Sequence, residues 1–287
     1  MNNIDSYEGK PPFTMIPPEL QDLLLAEGQK LSHGNDTALG TGIISILGTA
    51  RSAKTTLAYT LIDWVIHYTR RKIYLSNFPQ VIIDEGIPEH WKGRVETKPI
   101  EDMWRVNKNT NAVWLHDDAA VNSNSRDSLT RKAKLTSRLA GIISHLGGGQ
   151  TMIYTTQSLA GVDKTLFRFC ETCTIVRHMN SAGLKGERDE WREDVDNALY
   201  LLKQAHLSNG SNSKRLRDYY VTISSNEKNP YRIVPYLKPK WLFSMDAIKK
   251  DMLSRPFRYM PLDELEIMIL QHDTTPERKK IKRTVKE

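Results

Sequence analysis

Gly48-Thr49-Ala50-Arg51-Ser52-Ala53-Lys54-Thr55-Thr56 joins a glycine, a lysine and several hydroxyls directly after the apolar run Ile43-Ile44-Ser45-Ile46-Leu47. That chemistry suits a polyphosphate. Backbone N–H groups at the start of a helix converge on anionic oxygens, and the helix dipole adds to the attraction. The stretch follows the P-loop pattern G-x-x-x-x-G-K-[ST] at all but one position, where Ala53 replaces glycine. On this reading Gly48 to Thr56 cradle ATP, Lys54 reaches the β- and γ-phosphates, and the Thr55 hydroxyl coordinates Mg²⁺. If Ala53 must take positive φ, the strain is ~1–2 kcal/mol, which a bound ligand could offset. The competing reading is a strand–turn–helix connection with an incidental lysine.

An ATPase of this kind needs a carboxylate at the end of a neighbouring strand for the metal, and an acid beside it to orient the attacking water. Asp117-Asp118 follows the strand-like run Ala112-Val113-Trp114-Leu115-His116 and fits that place. Asp117 is expected to serve the metal and Asp118 the water. The usual second acid is glutamate, and aspartate is one methylene shorter. A further strand-like run ends Thr155-Thr156-Gln157-Ser158. Gln157 there is a candidate to sense the γ-phosphate or hold the water. Arg131, Lys134 and Arg138 line one edge of an apolar stripe formed by Leu135, Leu139, Ile142 and Leu146. That edge reads as an arginine finger for a neighbouring subunit, as a DNA contact, or as an ordinary solvated face.

The elements that must position these residues alternate between strand and helix. The segment 42–47 reads as a buried parallel strand, and Leu57, Leu61, Val65 and Tyr68 mark the helix after it. Strands are expected at 72–75, 81–83, 94–96, 112–116, 151–155 and 172–177, with helices over 127–146 and 162–169. This alternation predicts a mainly parallel sheet flanked by helices. Before it, residues 1–41 form a leader with a helix over 18–29, started by a proline pair. After residue 178 the pattern changes to an amphipathic helix over 187–205, a hairpin from 219–224 and 231–236, and helical pieces at 245–253 and 262–271. The fold class is therefore α/β: a P-loop NTPase core over 42–178, an α+β elaboration over 179–273, and a basic tail over 274–287.

Bulk composition narrows the partners. The chain is 39% hydrophobic and 26% charged, as in a soluble globular protein. No apolar run reaches the ~20 residues of a membrane span, and the N-terminus lacks signal-peptide character. A cytoplasmic location in a host cell, or one on the virion, is expected. The net charge of +7 and pI of about 9.2 suit a polyanionic partner. The tail Arg278-Lys279-Lys280-Ile281-Lys282-Arg283 is either a solubilising end or a non-specific DNA contact. Cys170 and Cys173 lack a second ligand pair and lead into a strand, so they read as core residues rather than a zinc or redox site.

Together the Gly48–Thr56 loop, Asp117-Asp118 and above all Ile153-Tyr154-Thr155-Thr156-Gln157-Ser158 resemble the FtsK–HerA superfamily of DNA-pumping ATPases. That superfamily includes viral genome-packaging ATPases and the Zot-like proteins of filamentous phage. The resemblance covers roughly residues 42–178. It implies ATP hydrolysis with Mg²⁺, a homo-oligomeric ring with hexamers expected, double-stranded DNA as partner, and an arginine finger acting across subunits. Arg131, Arg138 and Arg168 are the candidates for that finger. Ala53 and Asp118 depart from the pattern; the membrane segments of FtsK and typical Zot proteins are not expected here, and the region before residue 42 reads as too short for the β-barrel of HerA. A DNA translocase or packaging motor of a virus or mobile element is the expected function. Two alternatives stay open: a nucleotide-gated DNA-binding scaffold with slow or no turnover, and a partition or AAA-type ATPase. Partition ATPases carry an extra early lysine where this chain has Thr49, Ala50 and Arg51.

Overall fold

The isoleucine-rich run before Gly48 lies at the heart of a sheet. In the computed structural model the described residues are 6–25, 42–76, 86–99, 111–117, 150–158, 172–179, 189–208, 219–224 and 230–242. Strand β2 (Gly42–Leu47) is buried at every position. It pairs in parallel with β6 (Thr151–Thr156) on one side and β7 (Thr172–Val176) on the other. Beyond β6 come β5 (Ala112–His116), β3 (Lys72–Ser76) and β4 (Val95–Thr97), all parallel. Beyond β7 the hairpin strands β8 (Tyr219–Ser224) and β9 (Tyr231–Pro235) join antiparallel. The described sheet thus has eight strands in the order β4-β3-β5-β6-β2-β7-β8-β9. Near-continuous apolar strands are what a parallel sheet covered on both faces requires.

Helix α2 (Lys54–Tyr68) follows β2 and is buried along Leu57–Ile66, including Thr60 and Asp63. A helix buried all round must be covered on both sides. The sheet covers one side. The other meets the N-terminal segment, the 3-10 turn Glu89–Trp91 and β10 (Lys238–Pro239). Residues 6–25 are therefore part of the packing. Strand β1 (Ser6–Tyr7) pairs in parallel with β10, and Tyr7 donates to the Asp63 carboxylate at 2.7 Å. Burial and the nearby Asp63 charge push the Tyr7 phenol pKa far above its ordinary value, so it remains a donor.

Helix α1 spans Pro18–Leu24, shorter than the expected 18–29, whose last four residues lie outside the described chain. Its end has a physical cause. The fully buried Arg71 guanidinium donates to Leu23 O at 2.7 Å and Leu24 O at 3.2 Å, and Thr151 Oγ1 donates to Leu23 O at 2.7 Å. A cation on the final carbonyls satisfies them and complements the dipole.

Helix α3 (Asp189–Ser208) lays Val195, Ala198 and Leu202 on β7 and the hairpin, packing with Leu47, Val176, Val221 and Ile223. The expected apolar stripe of Trp191, Val195, Leu199 and Leu202 is the one that packs there. Strand β4 runs one residue later than the expected 94–96, and β7 ends at Val176 rather than Arg177. The expected strand at 81–83 and the helices over 127–146, 162–169, 245–253 and 262–271 lie outside the described residues. The chain divides into the units Met1–Met245 and Asp246–Glu287, and every described residue belongs to the first. Among the described residues no helix is long and apolar enough to cross a membrane.

Candidate nucleotide site

Strand β2 ends at Leu47 and the chain turns at Gly48 into a loop that closes on α2. Gly48 is required by crowding rather than by its dihedral angles. An added Cβ would lie 2.5 Å from Ser52 Oγ, 2.9 Å from Arg177 Cβ and 3.2 Å from His178 O. Within the loop, Ser52 N donates to Thr49 O at 3.2 Å. Two non-glycine residues take the left-handed conformation: Arg51 at φ 63° and Ala53 at φ 65°. Each costs roughly 1–2 kcal/mol relative to an ordinary region. Strain of this kind persists only where the surroundings over-determine the backbone, and it clusters at binding sites. The expected strain at Ala53 is present. That at Arg51 has no sequence signal, because arginine has no preference for this region.

Ala53 is also the N-cap of α2 and offers no capping side chain. Serine, threonine or aspartate there would take an N–H of the first turn for itself. With alanine, the helix start keeps its donors directed at the space before it, which is the arrangement that receives phosphate.

The loop is anchored from the β7 side. Thr49 donates to His178 O through both its N–H (3.1 Å) and its hydroxyl (3.3 Å). Arg177 is fully buried; its Nε donates to Ser52 O at 3.1 Å and its Nη1 to Tyr219 O at 2.6 Å, with the guanidinium 5.0 Å from the Tyr236 ring centroid. This one side chain joins the loop to the hairpin. As a cation just after a strand, Arg177 reads in sequence as an unremarkable strand end, and only the fold shows its burial.

Lys54 is half-buried and folds back over the loop, donating to Gly48 O at 2.8 Å and Thr49 O at 3.0 Å. Ser52 Oγ is buried without a hydrogen-bond partner. On the far side of Lys54, the Thr55 hydroxyl donates to both Asp117 carboxylate oxygens, at 3.1 and 3.2 Å. Asp117 Oδ1 also accepts from Thr155 Oγ1 at 2.6 Å. The sheet order explains the meeting. Strand β6 lies between β2 and β5, with Leu47 opposite Thr156 and His116 opposite Tyr154. The C-terminal ends of three parallel strands are therefore level, where α/β folds place ligands. A hydroxyl and a carboxylate are hard oxygen donors of the kind Mg²⁺ takes. A strand ending in the P-loop pattern, strained backbone at the helix start and an acid on the strand two places away decide the architecture.

The fold is that of a P-loop NTPase.

The P-loop residues Gly48 to Thr56, Thr55 and Asp117 are brought together; Gln157 is exposed in the bend after β6. Asp118, Arg131, Arg138 and Arg168 lie outside the described residues. Thr155 is the residue that sequence reasoning passed over, although it sits within the polar strand end that was singled out. Cys173 is buried in the core, and Cys170 lies outside the described residues.

Among solved structures, this P-loop chain is similar to B204, the DNA-packaging ATPase from Sulfolobus Turreted Icosahedral Virus. The identity is 13% and the TM-score 0.48, over 68% of this chain and 98% of that one. It is similar to the N-terminal domain of zonular occludens toxin from Neisseria meningitidis at 12% identity and a TM-score of 0.39, over 71% and 97% of the two chains. It is also similar to the pCW3 conjugation coupling protein TcpA, in its monomer form with ATPγS, at 9% identity and a TM-score of 0.48, over 83% and 70%. No family model matches the chain, and no curated protein matches it.

Proposed function

We propose that the chain is an ATP-dependent DNA translocase or packaging motor of a virus or mobile element, working in the host cytoplasm or on the virion as a homo-oligomeric ring. One observation supports nucleotide hydrolysis most directly: Thr55 and Asp117 meet through their side chains beside Lys54 at the start of α2. The donors there fit Mg²⁺–ATP. Residues Gly48 to Thr56 would hold the phosphates, with Lys54 turning from the loop carbonyls toward them. Thr55 and Asp117 would hold Mg²⁺, whose charge offsets that developing on the phosphoryl oxygens. Thr155 keeps the Asp117 carboxylate oriented. Asp118 would orient the attacking water, and Gln157 would sense the γ-phosphate or hold the water. Arg131, Arg138 or Arg168 would supply the finger from a neighbouring subunit.

The DNA half of the proposal is supported by the motif resemblance over residues 42–178 and by the net charge of +7. The test is steady-state ATP hydrolysis with and without double-stranded DNA. Turnover stimulated by DNA is expected, with assembly into a ring, hexameric by the resemblance, on sizing in ATP. A second reading, a nucleotide-gated scaffold, is favoured by Ala53 in the glycine position and by aspartate at 118 in place of the usual glutamate. Tight ATP binding with no turnover in either condition would select it.

A further inference from the structure

Away from the P-loop, on the opposite part of α2, three potential ligands converge. Asp63 and His67 lie one helical turn apart, on one face of α2, and His90 comes from the 3-10 turn Glu89–Trp91. Their ligand atoms all lie within 4.8 Å of one another. The Asp63 carboxylate is fully buried, and among the described residues its ion-pair neighbours are these two imidazoles.

The hydrogen bonds around Asp63 leave one group unsatisfied. Oδ2 accepts from Tyr7 Oη at 2.7 Å, and Oδ1 accepts from Trp91 Nε1 at 2.9 Å. His90 Nε2 lies 2.7 Å from Oδ1. His67 Nε2 stands 3.8 Å from Oδ2, too far for a hydrogen bond, and is buried with no hydrogen-bond partner. Buried polar nitrogens are rarely left so, and each such case calls for a reason. The two imidazole rings lie with centroids 4.6 Å apart, and both Nε2 atoms approach the same carboxylate.

We propose that Asp63, His67 and His90 form a binding site for a divalent transition-metal cation of the zinc class. Two imidazole nitrogens and a carboxylate oxygen are a ligand set that zinc accepts, with water completing four-coordination. Ligands about 2 Å from a shared ion lie closer together than the present 4.8 Å limit, so small side-chain rotations suffice. Binding takes up the orphan His67 nitrogen. It replaces the His90–Asp63 hydrogen bond with ligation of both groups. Tyr7 and Trp91 keep their bonds to the carboxylate and orient it, as outer partners of metal ligands do. The His90 side chain is 36% exposed, which gives the ion a way in.

The consequence is a clasp. The ion would join the turn Glu89–Trp91 to α2, and through Tyr7 it would hold the N-terminal segment as well. All of this acts on the helix whose first turn carries Lys54 and Thr55. The inference does not depend on the proposed motor function, since it concerns the far end of α2 and is read without nucleotide.

The test uses the full chain after chelator treatment, with Zn²⁺ and Co²⁺ as probes. Equilibrium dialysis should show one tight zinc per chain, and zinc should raise Tm. Cobalt should give the intense visible bands of a four-coordinate nitrogen–oxygen site. His67→Ala combined with His90→Ala should remove the tight site, the Tm shift and the bands. Tyr7→Phe, which keeps every ligand, should weaken zinc about tenfold or more. His90→Ala alone changes a ring at an exposed edge and serves should the double variant fail to fold. Equal zinc affinity in wild type and His90→Ala would overturn the proposal. So would the absence of both a tight site and the cobalt bands in the wild type.

Discussion

Arg177 Nε donates to Ser52 O at 3.1 Å, so a buried guanidinium at the end of β7 fixes the P-loop from below. Through Nη1 the same side chain holds Tyr219 O, the first residue of the hairpin. Replacing it with methionine keeps bulk but removes both of these hydrogen bonds. Hydrogen bonds from a charged donor contribute ~1.5–3 kcal/mol each. Arg177→Met should therefore lower stability by ~3–6 kcal/mol, read as a reduced denaturation midpoint. Arg177→Lys should lose most of the same amount, because a single ammonium cannot reproduce the planar fork. A midpoint unchanged in both variants would show that the loop is held without this side chain.

Ala53 carries backbone strain that glycine would not. The left-handed position costs alanine ~1–2 kcal/mol, while glycine costs ~0.5–1 kcal/mol through its freer unfolded chain. Ala53→Gly should thus raise stability by up to ~1 kcal/mol in urea denaturation. It should also restore the glycine of the P-loop pattern and leave ATP affinity equal to wild type or higher. A loss of stability would mean that the Ala53 methyl makes contacts worth more than the strain it brings.

Thr155 touches the carboxylate rather than any position assigned to the nucleotide. Thr155→Val keeps the shape and removes the donor at 2.6 Å from Asp117 Oδ1. Losses of an outer partner to a metal ligand run to about 10–100-fold. ATP turnover should fall in that range with a weaker response to Mg²⁺, and Thr155→Ser should recover most of it. Full activity in the valine variant would remove Thr155 from the account.

Much of this site could be read before the fold was known. The run ending in Leu47, the helix carrying Leu57, Leu61 and Val65, and the acid after His116 all follow short-range rules of period and spacing. What stayed hidden depends on long-range packing. Nothing in the local sequence shows that Arg177 is buried, that Tyr7 reaches Asp63, or that His90 meets a helix 27 residues away. The positive φ of Arg51 was equally illegible, since the surrounding loop imposes it against the preference of the side chain. The end of α1 at Leu24 follows from Arg71, a residue far along the chain, which no local stop signal announces.

The central claim is ATP-driven movement along double-stranded DNA, and displacement of a third strand from a DNA triplex measures it most directly. The wild-type chain with Mg²⁺ and ATP should release the third strand. A non-hydrolysable analogue should not support release, and Lys54→Ala should reduce both turnover and release by ~100-fold or more. Release that proceeds equally in Lys54→Ala would contradict the account, as would wild-type ATP turnover on triplex DNA with no strand displaced.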